Sequence, residues 1–415
     1  MSAKTSKPYF ACQSCGSSAL KSVIFLGFHP PVNTMPAIGS VAEEQPAYPL
    51  EWLRCGDCGL VQIGLEVDPN ILFAPSYPYR SNSTRILRDN FADLYKTCAE
   101  MFDLGPDDLC VDIGSNDGTL LSNFVAGGHP VLGIEPSRAA DDANARGIRT
   151  RMGFFGLESA RQAQNDFGPA KIITAANVFA HIADIHAVID GIMALIRKDG
   201  VFISENHYLL PLVETLQYDT IYHEHLRYYH LGALIPLLAR HGLEVFHVQT
   251  IPTHGGSIRV FSAPKGSQTI RPSVAAQLEA EKRAGLLDGS GLSTFRKRVI
   301  QSKADLYTFL AAIKQRGERI YAVGAPSRAA TLVNYVGLDD GMLDNVLEIS
   351  SSPKVGKYMP GTRIPVLDEK ILFEDQPEYA LLLSWHIADE LIENLRRKNY
   401  RGKFIVPLPE PHIVE

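Results

Sequence analysis

The sequence contains no apolar run that approaches the roughly 20 consecutive residues of a membrane-spanning helix. It has no excess of positive charge either, because 46 aspartate and glutamate residues outnumber 40 lysine and arginine residues and the formal net charge is -6. A mildly acidic chain is not typical of proteins that bind the nucleic-acid backbone. No apolar signal core precedes the first cysteine pair, so we expect neither secretion nor membrane insertion but a cytoplasmic protein.

What is present is an ordinary globular composition. Hydrophobic residues make up 45% and charged residues 21% of the 415 positions, which excludes a disordered or collagen-like chain. At roughly 100–200 residues per domain, a chain of this length suggests two to four domains.

Cysteine is scarce, but four of the six cysteines form two CxxC pairs, Cys12 with Cys15 and Cys55 with Cys58. A CxxC turn directs two thiolates at one point, and two such turns complete a tetrahedral zinc site. Disulfides are disfavoured in a reducing cytoplasm, and redox CxxC motifs come singly beside a βαβ unit, which here begins much later. The spacing therefore predicts a structural zinc ion with no open coordination position.

After this module the sequence alternates buried strands with helical stretches. A helical pattern covers 81–102, and predicted strands follow at 109–113, 131–135, 172–176 and 201–205. Two further strands, 243–250 and 257–263, are joined by a loop that fits an antiparallel hairpin. The alternation predicts a parallel sheet with helices on both faces.

A charged, helix-rich stretch then leads to a second α/β pattern that begins at Ile320. We therefore predict four parts: a zinc-binding module (1–72), an α/β domain (73–270), a helical connector (271–316) and a smaller α/β domain (317–415).

The turn after the first strand of the larger α/β pattern reads GSNDGT and lacks the second glycine of the GxGxxG dinucleotide fingerprint. Gly114 allows a ligand to approach the backbone, and the amides at a helix start can receive a carboxylate. Glu135 ends the next strand, where a carboxylate can accept hydrogen bonds from two ribose hydroxyls. Asp112 would repel a pyrophosphate but suits a cationic nucleoside. These features favour S-adenosylmethionine over NAD, with an empty Rossmann turn as the alternative.

Other candidate ligand contacts follow strand ends. Asn177 and His181 follow the strand at 172–176 and should therefore lie beside the cofactor. Phe154 could cover an adenine ring or belong to the core, as could Phe155. Arg328 begins a helix after the turn at 324–327, a suitable place for a diphosphate.

The densest polar-aromatic segment is 218–230, which reads YDTIYHEHLRYYH. Imidazoles titrate near neutrality, phenols can donate to an oxyanion, and a carboxylate can orient a histidine. A zincin-type metal site would need a histidine at position 227, where Arg227 stands. A solvated helix start is the other alternative, and the spacing alone does not show that these groups meet.

Taken together, these motifs resemble the S-adenosylmethionine-dependent C-methyltransferases that act on nucleotide-linked keto-deoxysugars, in particular the sugar C-3-methyltransferases of tetronitrose, mycarose and noviose pathways. The resemblance covers nearly the whole chain and includes the paired CxxC module, Tyr77-Pro78-Tyr79, VDIGSNDGTLL, 177–181, YHEHLRYY, HGGSIR, GAPSRAATLVNY, GKYMPGT and FIVPLPEP. It implies a class I (Rossmann-like) methyltransferase domain followed by a smaller Rossmann-like domain that holds the nucleotide diphosphate. The chain departs from the family pattern at Arg328 and His386, where the family has a lysine and an asparagine-type residue.

The resemblance also implies residue roles. His225 is the favoured base and Glu224 orients it, while base and donor roles could be exchanged among His181, Tyr222 and His225. Tyr222, His181 and either Tyr77 or Tyr79 would position the keto-sugar or stabilise its enolate. The cofactor-binding set is Asp112, Gly114, Asn116, Glu135, Phe154 and Asn177. The substrate-binding set is His254, Arg259, Arg328, Lys354 and Tyr358.

The implied reaction is methylation at C3 of a dTDP-4-keto-deoxysugar through an enolate, with zinc remaining structural. An enzymatic alternative is O- or N-methylation of a nucleotide sugar or another small molecule. A third hypothesis is a zinc-ribbon binding module that keeps a vestigial methyltransferase fold. We expect a monomer whose partner is a nucleotide sugar, without nucleic-acid or membrane partners.

Overall fold

The computed structural model describes residues 5–73 and 85–415. The predicted site residues Tyr77 and Tyr79 lie outside the described residues. No helix in the described ranges combines the length and the apolar character that crossing a membrane requires.

The N-terminal part is a small antiparallel β module. Its elements are β1 Ser6–Pro8, β2 Leu20–His29, β3 Tyr48–Cys55, β4 Val61–Ile63, β5 Leu65–Val67 and α1 Pro69–Leu72. Strands β2, β3 and β4 pair in that order, and β4 also pairs with Arg227 and Tyr228 from the predicted polar-aromatic segment. Backbone hydrogen bonds between β4 and this segment therefore join the module to the polar-aromatic segment.

The central part is a seven-stranded sheet with helices on both faces, as predicted. Its elements up to the last parallel strand are α2 Arg85–Phe102, β6 Cys110–Ile113, α3 Thr119–Ala126, β7 Val131–Glu135, α4 Ala139–Ala145, β8 Thr150–Met152, α5 Leu157–Phe167, β9 Ala170–Ala176, α6 Ile185–Leu195 and β10 Ile196–His207. After β10 come α7 Leu209–Glu214, β11 Arg227–Tyr228, α8 Leu231–Ala239, β12 Leu243–Ile251 and β13 Ser257–Pro264.

The strand order of this sheet is β12-β13-β10-β9-β6-β7-β8, and β13 runs antiparallel to both of its neighbours. Successive side chains of β6 enter different apolar clusters: Val111 packs with the α5 and α6 side, and Cys110 with the α2 and α3 side. This alternation is the two-residue period of a strand that is covered on both faces. The carboxyl ends of β6, β7, β9 and β10 thus lie along one edge.

The connector and the C-terminal domain follow. The connector contains α9 Pro272–Arg283 and α10 Ser290–Gln315. The domain contains β14 Ile320–Val323, α11 Ser327–Val336, β15 Asn345–Glu348, β16 Lys357–Tyr358, β17 Pro365–Asp368, α12 Lys370–Asp375, β18 Tyr379–Leu382, α13 Ala388–Arg397, β19 Lys403–Val406 and β20 His412–Val414. Its sheet order is β16-β17-β15-β14-β18-β19-β20, with antiparallel edge strands around a parallel centre.

Helix α11 packs the C-terminal domain onto the central part. It lies against the short 3-10 helix Tyr218–Thr220, and the Thr331 hydroxyl donates to the Ile221 carbonyl at 2.8 Å. The ring of Tyr335 meets the ring of Tyr218 edge-on, with centroids 5.3 Å apart. The polar-aromatic segment is therefore enclosed by the zinc-binding module on one side and by the C-terminal domain on the other.

Candidate functional site

The four cysteines of the N-terminal module converge on one point. Their sulfur atoms all lie within 4.8 Å of one another, with Cys12 and Cys58 3.5 Å apart and Cys15 and Cys55 3.5 Å apart. A tetrahedral zinc ion with bonds of about 2.3 Å holds its sulfur ligands about 3.8 Å from one another, so the cluster fits this metal. Each CxxC turn ends in a glycine with positive φ, a conformation that side chains rarely adopt. Four thiolate ligands leave no open position, so the zinc stabilises the module and takes no part in chemistry.

The turn after β6 has the features of a nucleoside-binding turn. Gly114 has φ +69°, and a Cβ atom there would come within 2.6 Å of the Val178 side chain. The Glu135 carboxylate accepts hydrogen bonds from the backbone amides of Asn116 and Ser137, each at 2.9 Å, and so lies against this turn. The buried Ser115 hydroxyl has no hydrogen-bond partner in the described part of the chain. The residues present therefore fit S-adenosylmethionine, whose ribose and amino-acid groups need such partners.

The remaining predicted cofactor residues differ in exposure. Asp112 is buried below the turn and accepts a hydrogen bond from the Thr174 hydroxyl at 2.7 Å, while burial raises its pKa to about 7. Asn177 follows β9 with φ +58° at the same edge of the sheet. Phe154 exposes 82% of its surface, whereas Phe155 packs against the core. An exposed ring beyond β8 is available to a ligand, but its role stays a prediction.

His225 and Tyr222 form a hydrogen-bonded pair. The His225 Nδ1 atom lies 3.2 Å from the Thr220 carbonyl oxygen, and its Nε2 atom lies 3.1 Å from the Tyr222 hydroxyl. Because a carbonyl can only accept, Nδ1 carries the proton, and the Nε2 lone pair accepts from the phenol. Burial and the nearby imidazoles hold the pKa of His225 well below its usual value. The His225 imidazole is therefore neutral near pH 7.

His181 faces this pair with a free nitrogen lone pair. Its ring centroid lies 4.9 Å from that of His225, and its Nδ1 atom lies 2.8 Å from the Glu224 carbonyl oxygen. By the same reasoning Nδ1 is the donor and Nε2 the acceptor. Burial lowers the pKa of His181 to about 4, so its Nε2 atom is free to accept a proton at neutral pH.

The buried Arg227, which stands where a zincin-type metal site would need a histidine, holds the loop of His181. Arg227 donates hydrogen bonds to the carbonyls of Phe179, Ile182 and Ala183, at 2.6 to 3.1 Å. Three carbonyls around one guanidinium fix the backbone on both sides of His181.

The Glu224 side chain points towards the other domains. Its carboxylate accepts a hydrogen bond at 2.8 Å from Asn33 of the zinc-binding module, and its charge acts on Lys354 of the C-terminal domain. Lys354 donates to the Ala325 carbonyl at 2.6 Å, and burial lowers its pKa. The described contact at His225 Nδ1 is the Thr220 carbonyl, so the orienting role implied for Glu224 stays a prediction.

The predicted substrate residues divide into two groups. Arg328 donates to both oxygens of the buried Asp219, each at 2.7 Å, and its guanidinium lies 5.1 Å from the centre of the Trp385 ring. Burial and the positive charge of Arg328 lower the pKa of His254 to about 4, and His254 in turn acts on the pKa of His225.

Arg259 and Tyr358 have other partners. Arg259 is fully buried and forms ion pairs with Glu205 at 2.6 Å and Asp93 at 3.0 Å, which tie β13 and β10 to α2. The Tyr358 hydroxyl accepts a hydrogen bond from the Gly39 amide at 3.2 Å. The described contacts of Arg259 are thus structural ones, and its substrate-binding role stays a prediction.

Sequence reasoning assigned no site role to His207, and His386 entered it only as a departure from the family pattern. His207 ends β10, at the sheet edge where ligands bind, so its position carried a usable signal. His386 lies in the turn after β18, and only the packing of the two domains brings it to the His254 turn.

Comparison with known proteins gives consistent matches along the chain. Family models match a zinc binding domain at residues 12–73, a methyltransferase domain at 82–248 and a C-methyltransferase C-terminal domain at 252–409. The C-methyltransferase NovU of Streptomyces niveus is 33% identical over 411 residues, which cover 98% of this chain and 97% of NovU.

Two solved structures resemble part of the chain. The PH0226 protein of Pyrococcus horikoshii OT3 is 14% identical with a TM-score of 0.37, covering 45% of this chain and 95% of that one. An S-adenosylmethionine-dependent methyltransferase of Clostridium acetobutylicum ATCC 824 is 13% identical with a TM-score of 0.35, covering 45% of this chain and 94% of that one.

Proposed function

The chain belongs to the sugar C-methyltransferase family, and from this premise we propose that it methylates C3 of a dTDP-4-keto-deoxysugar through an enolate. The observation that carries the proposal is the hydrogen bond between Tyr222 and His225, with the His181 ring 4.9 Å from the His225 ring. When bound at the 112–118 turn, S-adenosylmethionine supplies an electrophilic methyl group on a sulfonium centre.

The chemistry of the chain's own residues is proton removal and charge stabilisation. A C–H bond next to a ketone is acidic enough for a positioned base to break. The proton of C3 goes either to His181 Nε2 or to the Tyr222 oxygen as that phenol hands its own proton to His225 Nε2. The electron pair of the broken bond forms the C3–C4 double bond, and the C4 oxygen becomes an oxyanion that nearby donors stabilise.

Burial keeps the acceptors unprotonated, but it also weakens them as bases, since a general base works best with a pKa near the working pH. Both His181 and His225 have pKa values below the usual range, so neither imidazole carries a second proton near pH 7. A base that were already protonated could not remove the C3 proton.

We also propose that the nucleotide sugar binds between the central and C-terminal domains. Two charge interactions across that boundary support this placement. The Glu224 carboxylate favours the charged form of Lys354, and the Arg328 guanidinium lowers the pKa of His254. The dTDP nucleotide, the monomeric state, the four-part division of the chain and the cytoplasmic location belong to the same proposal.

Proton exchange tests the proposed enolate formation at C3. The zinc-loaded protein is incubated with a dTDP-4-keto-deoxysugar in heavy water without methyl donor, and deuterium is located by NMR. The wild type should introduce deuterium at C3, and His225→Ala should do so at least about 100-fold more slowly. Equal exchange in the His225→Ala variant would exclude the route through Tyr222 and leave His181 as the base, and deuterium at C5 alone would refute the position.

Methyl placement is the second readout. With ¹³C-methyl-labelled S-adenosylmethionine, the product should show a methyl carbon bonded to carbon. A labelled methyl on oxygen or nitrogen, or turnover of the corresponding 4-hydroxy sugar, would favour the O- or N-methyltransferase alternative. Cofactor binding without any product would favour the vestigial fold.

A further inference from the structure

We propose that His207, His254 and His386 form a binding site for an anionic oxygen of the substrate, next to the Tyr222–His225 pair. This inference rests on the proposed function, because it needs a substrate that carries or develops such an oxygen.

The three imidazoles come from three segments that meet at the carboxyl edge of the central sheet. His207 ends β10 and pairs with Ser257, the first residue of β13. His254 lies in the turn just before β13. His386 lies in the turn Trp385–Ile387 after β18, which packs against the His254 turn. The site therefore uses side chains of both the central and the C-terminal domain.

Each imidazole leaves one ring nitrogen unused. Nε2 of His207, Nε2 of His254 and Nδ1 of His386 are buried and have no hydrogen-bond partner within residues 5–73 and 85–415. Buried polar atoms in folded proteins nearly always have a partner. Three such nitrogens on adjoining segments indicate a ligand that supplies the partners.

The backbone around His254 is held in an unusual conformation. His254 has φ +57°, and Gly255 and Gly256 follow with φ +84° and +118°. The Gln217 amide fixes this turn by donating to the Gly255 carbonyl at 2.7 Å. A non-glycine residue with positive φ is uncommon, and such conformations cluster at functional sites.

The protonation state of the three histidines suits a negative oxygen. Burial and the positive charge of Arg328 lower the pKa of His207 to about 3, of His254 to about 4 and of His386 to about 3. Each ring is therefore neutral near pH 7, and the tautomer that protonates the unused nitrogen makes that nitrogen an N–H donor. N–H donors in a buried site suit an oxygen with negative charge.

Two groups of the proposed substrate carry such an oxygen. One is the C4 oxygen, which becomes negative when the proton leaves C3, and neutral imidazole donors are known to serve this purpose. The other is the diphosphate. Gln217 holds the His254 turn and its carbonyl accepts from the Thr220 hydroxyl, while the Thr220 carbonyl contacts His225. The site therefore lies close to the Tyr222–His225 pair, which favours the C4 oxygen.

The test uses paired substitutions at two positions. His207→Leu and His386→Leu remove the unused nitrogens. His207→Gln and His386→Asn return an amide nitrogen near the Nε2 and Nδ1 positions, respectively. His412→Leu on the exposed strand β20 is the control. For each variant, deuterium exchange at C3 is measured at saturating keto-sugar, and the Kd of thymidine diphosphate is measured by calorimetry.

If the site holds the C4 oxygen, exchange should fall about 100-fold in the leucine variants and recover to within about threefold in the amide variants, with the Kd unchanged. If it holds the diphosphate, the Kd should rise at least about tenfold while exchange at saturation stays constant. Either result supports an anionic-oxygen site and identifies its source.

Leucine variants that stay within about twofold of His412→Leu in both measurements would overturn the inference. Using two positions leaves one to decide if the other variant fails to fold. Absence of exchange in the wild type would count against the proposed function alone, because the diphosphate measurement still tests the site.

Discussion

At the scale of single residues, the chemistry depends on which ring nitrogen carries the proton. Carbonyl oxygens of Thr220 and Glu224 fix the donor nitrogens of His225 and His181, respectively. Both acceptor nitrogens are thereby left on the other side of each ring, and one of them already receives the Tyr222 hydroxyl. The proton from the substrate can thus reach His225 through the phenol.

Under the proposed mechanism, the Tyr222 hydroxyl is essential for the rate and not for the fold. Tyr222→Phe should lower kcat by about 10²- to 10⁴-fold, because it removes the oxygen that links His225 to the substrate. The lost hydrogen bond should cost only about 1 kcal/mol of stability. Single-turnover methylation and urea unfolding measure the two effects.

Tyr307→Phe is the matched control, since Tyr307 lies on α10 with 45% of its surface exposed. The affinity for S-adenosylmethionine should be the same in both variants and in the wild type. A Tyr222→Phe enzyme that keeps half of the wild-type rate would exclude proton transfer through the phenol.

At the scale of helices and strands, the sequence predicts those elements that have a recognisable hydrophobic pattern of their own. Strands β6, β7 and β9 are apolar runs bounded by turn residues, and both α/β patterns were predicted. Strands β11, β16 and β20 were not predicted, because two or three residues of mixed polarity have no period. Their strand conformation comes from pairing with a neighbouring strand.

The same distinction applies to the site. The cysteine spacing identifies the four cysteines of the metal cluster, and the glycine turn predicts the cofactor residues, since each motif is local in sequence. The partner of Arg328 was not predictable, because Asp219 is 109 residues away and meets it only when the two domains pack. The sequence suggested a diphosphate for this arginine, and the structure adds a buried carboxylate that already takes two of its hydrogen bonds.

The Asp219–Arg328 ion pair should determine how α11 sits on the turn that orients His225. Asp219 also accepts a hydrogen bond from the Trp385 indole at 2.8 Å, and Thr220 in the same turn contacts His225. Asp219→Asn keeps the shape but leaves a buried guanidinium without a counter-charge. We expect a loss of about 3–5 kcal/mol in unfolding free energy, together with a lower kcat.

The exposed pair Arg85–Asp89 provides the comparison. Both of its side chains are largely in solvent, so Asp89→Asn should cost at most about 1 kcal/mol. Thermal unfolding of the two variants measures the difference. Similar small losses in both would show that the buried pair does not hold the domains together.

At the scale of the whole molecule, the zinc-binding module forms one wall of the candidate site. Asn33 donates to the Glu224 carboxylate, the Pro49 carbonyl lies 3.3 Å from His223 Nε2, and β4 pairs with β11. A zinc ion in this module would lie outside the proposed chemistry but would support the segment that carries Tyr222 and His225.

Removing zinc should therefore reduce the rate of methylation more strongly than the affinity for the cofactor. Cys55→Ser, or chelation of the wild type, should lower kcat at least about tenfold and reduce thermal stability, because structural zinc contributes directly to folding. The Kd of S-adenosylmethionine should change by less than about threefold, since its turn belongs to the central sheet. Cys98→Ser is the control, because Cys98 lies on α2 outside the cluster. Full activity of the zinc-free protein would contradict this coupling.

The concentration of uncharged histidines has a consequence for the stability of the whole chain. Burial lowers the pKa of eight histidines, namely His29, His181, His207, His223, His225, His247, His254 and His386. In the unfolded chain these groups titrate near 6.5, so below that pH the unfolded state binds protons that the folded state does not. Stability must then fall as the pH drops from about 6.5 towards 4, by at most about 1.4 kcal/mol per pH unit for each histidine.

Asp112 and Glu205 act in the opposite direction, because burial raises the pKa of each carboxyl, to about 7 for Asp112, and the folded state binds their protons first, but they are two groups against eight. Urea unfolding at pH 7.5, 6.5 and 5.5, with zinc content measured at each pH, should show a steep decline in unfolding free energy. In the double variant His207→Gln with His386→Asn the decline should be shallower, because two groups no longer titrate. A free energy that stays constant over this range, or a double variant with the wild-type slope, would show that these imidazoles are not held neutral by the fold.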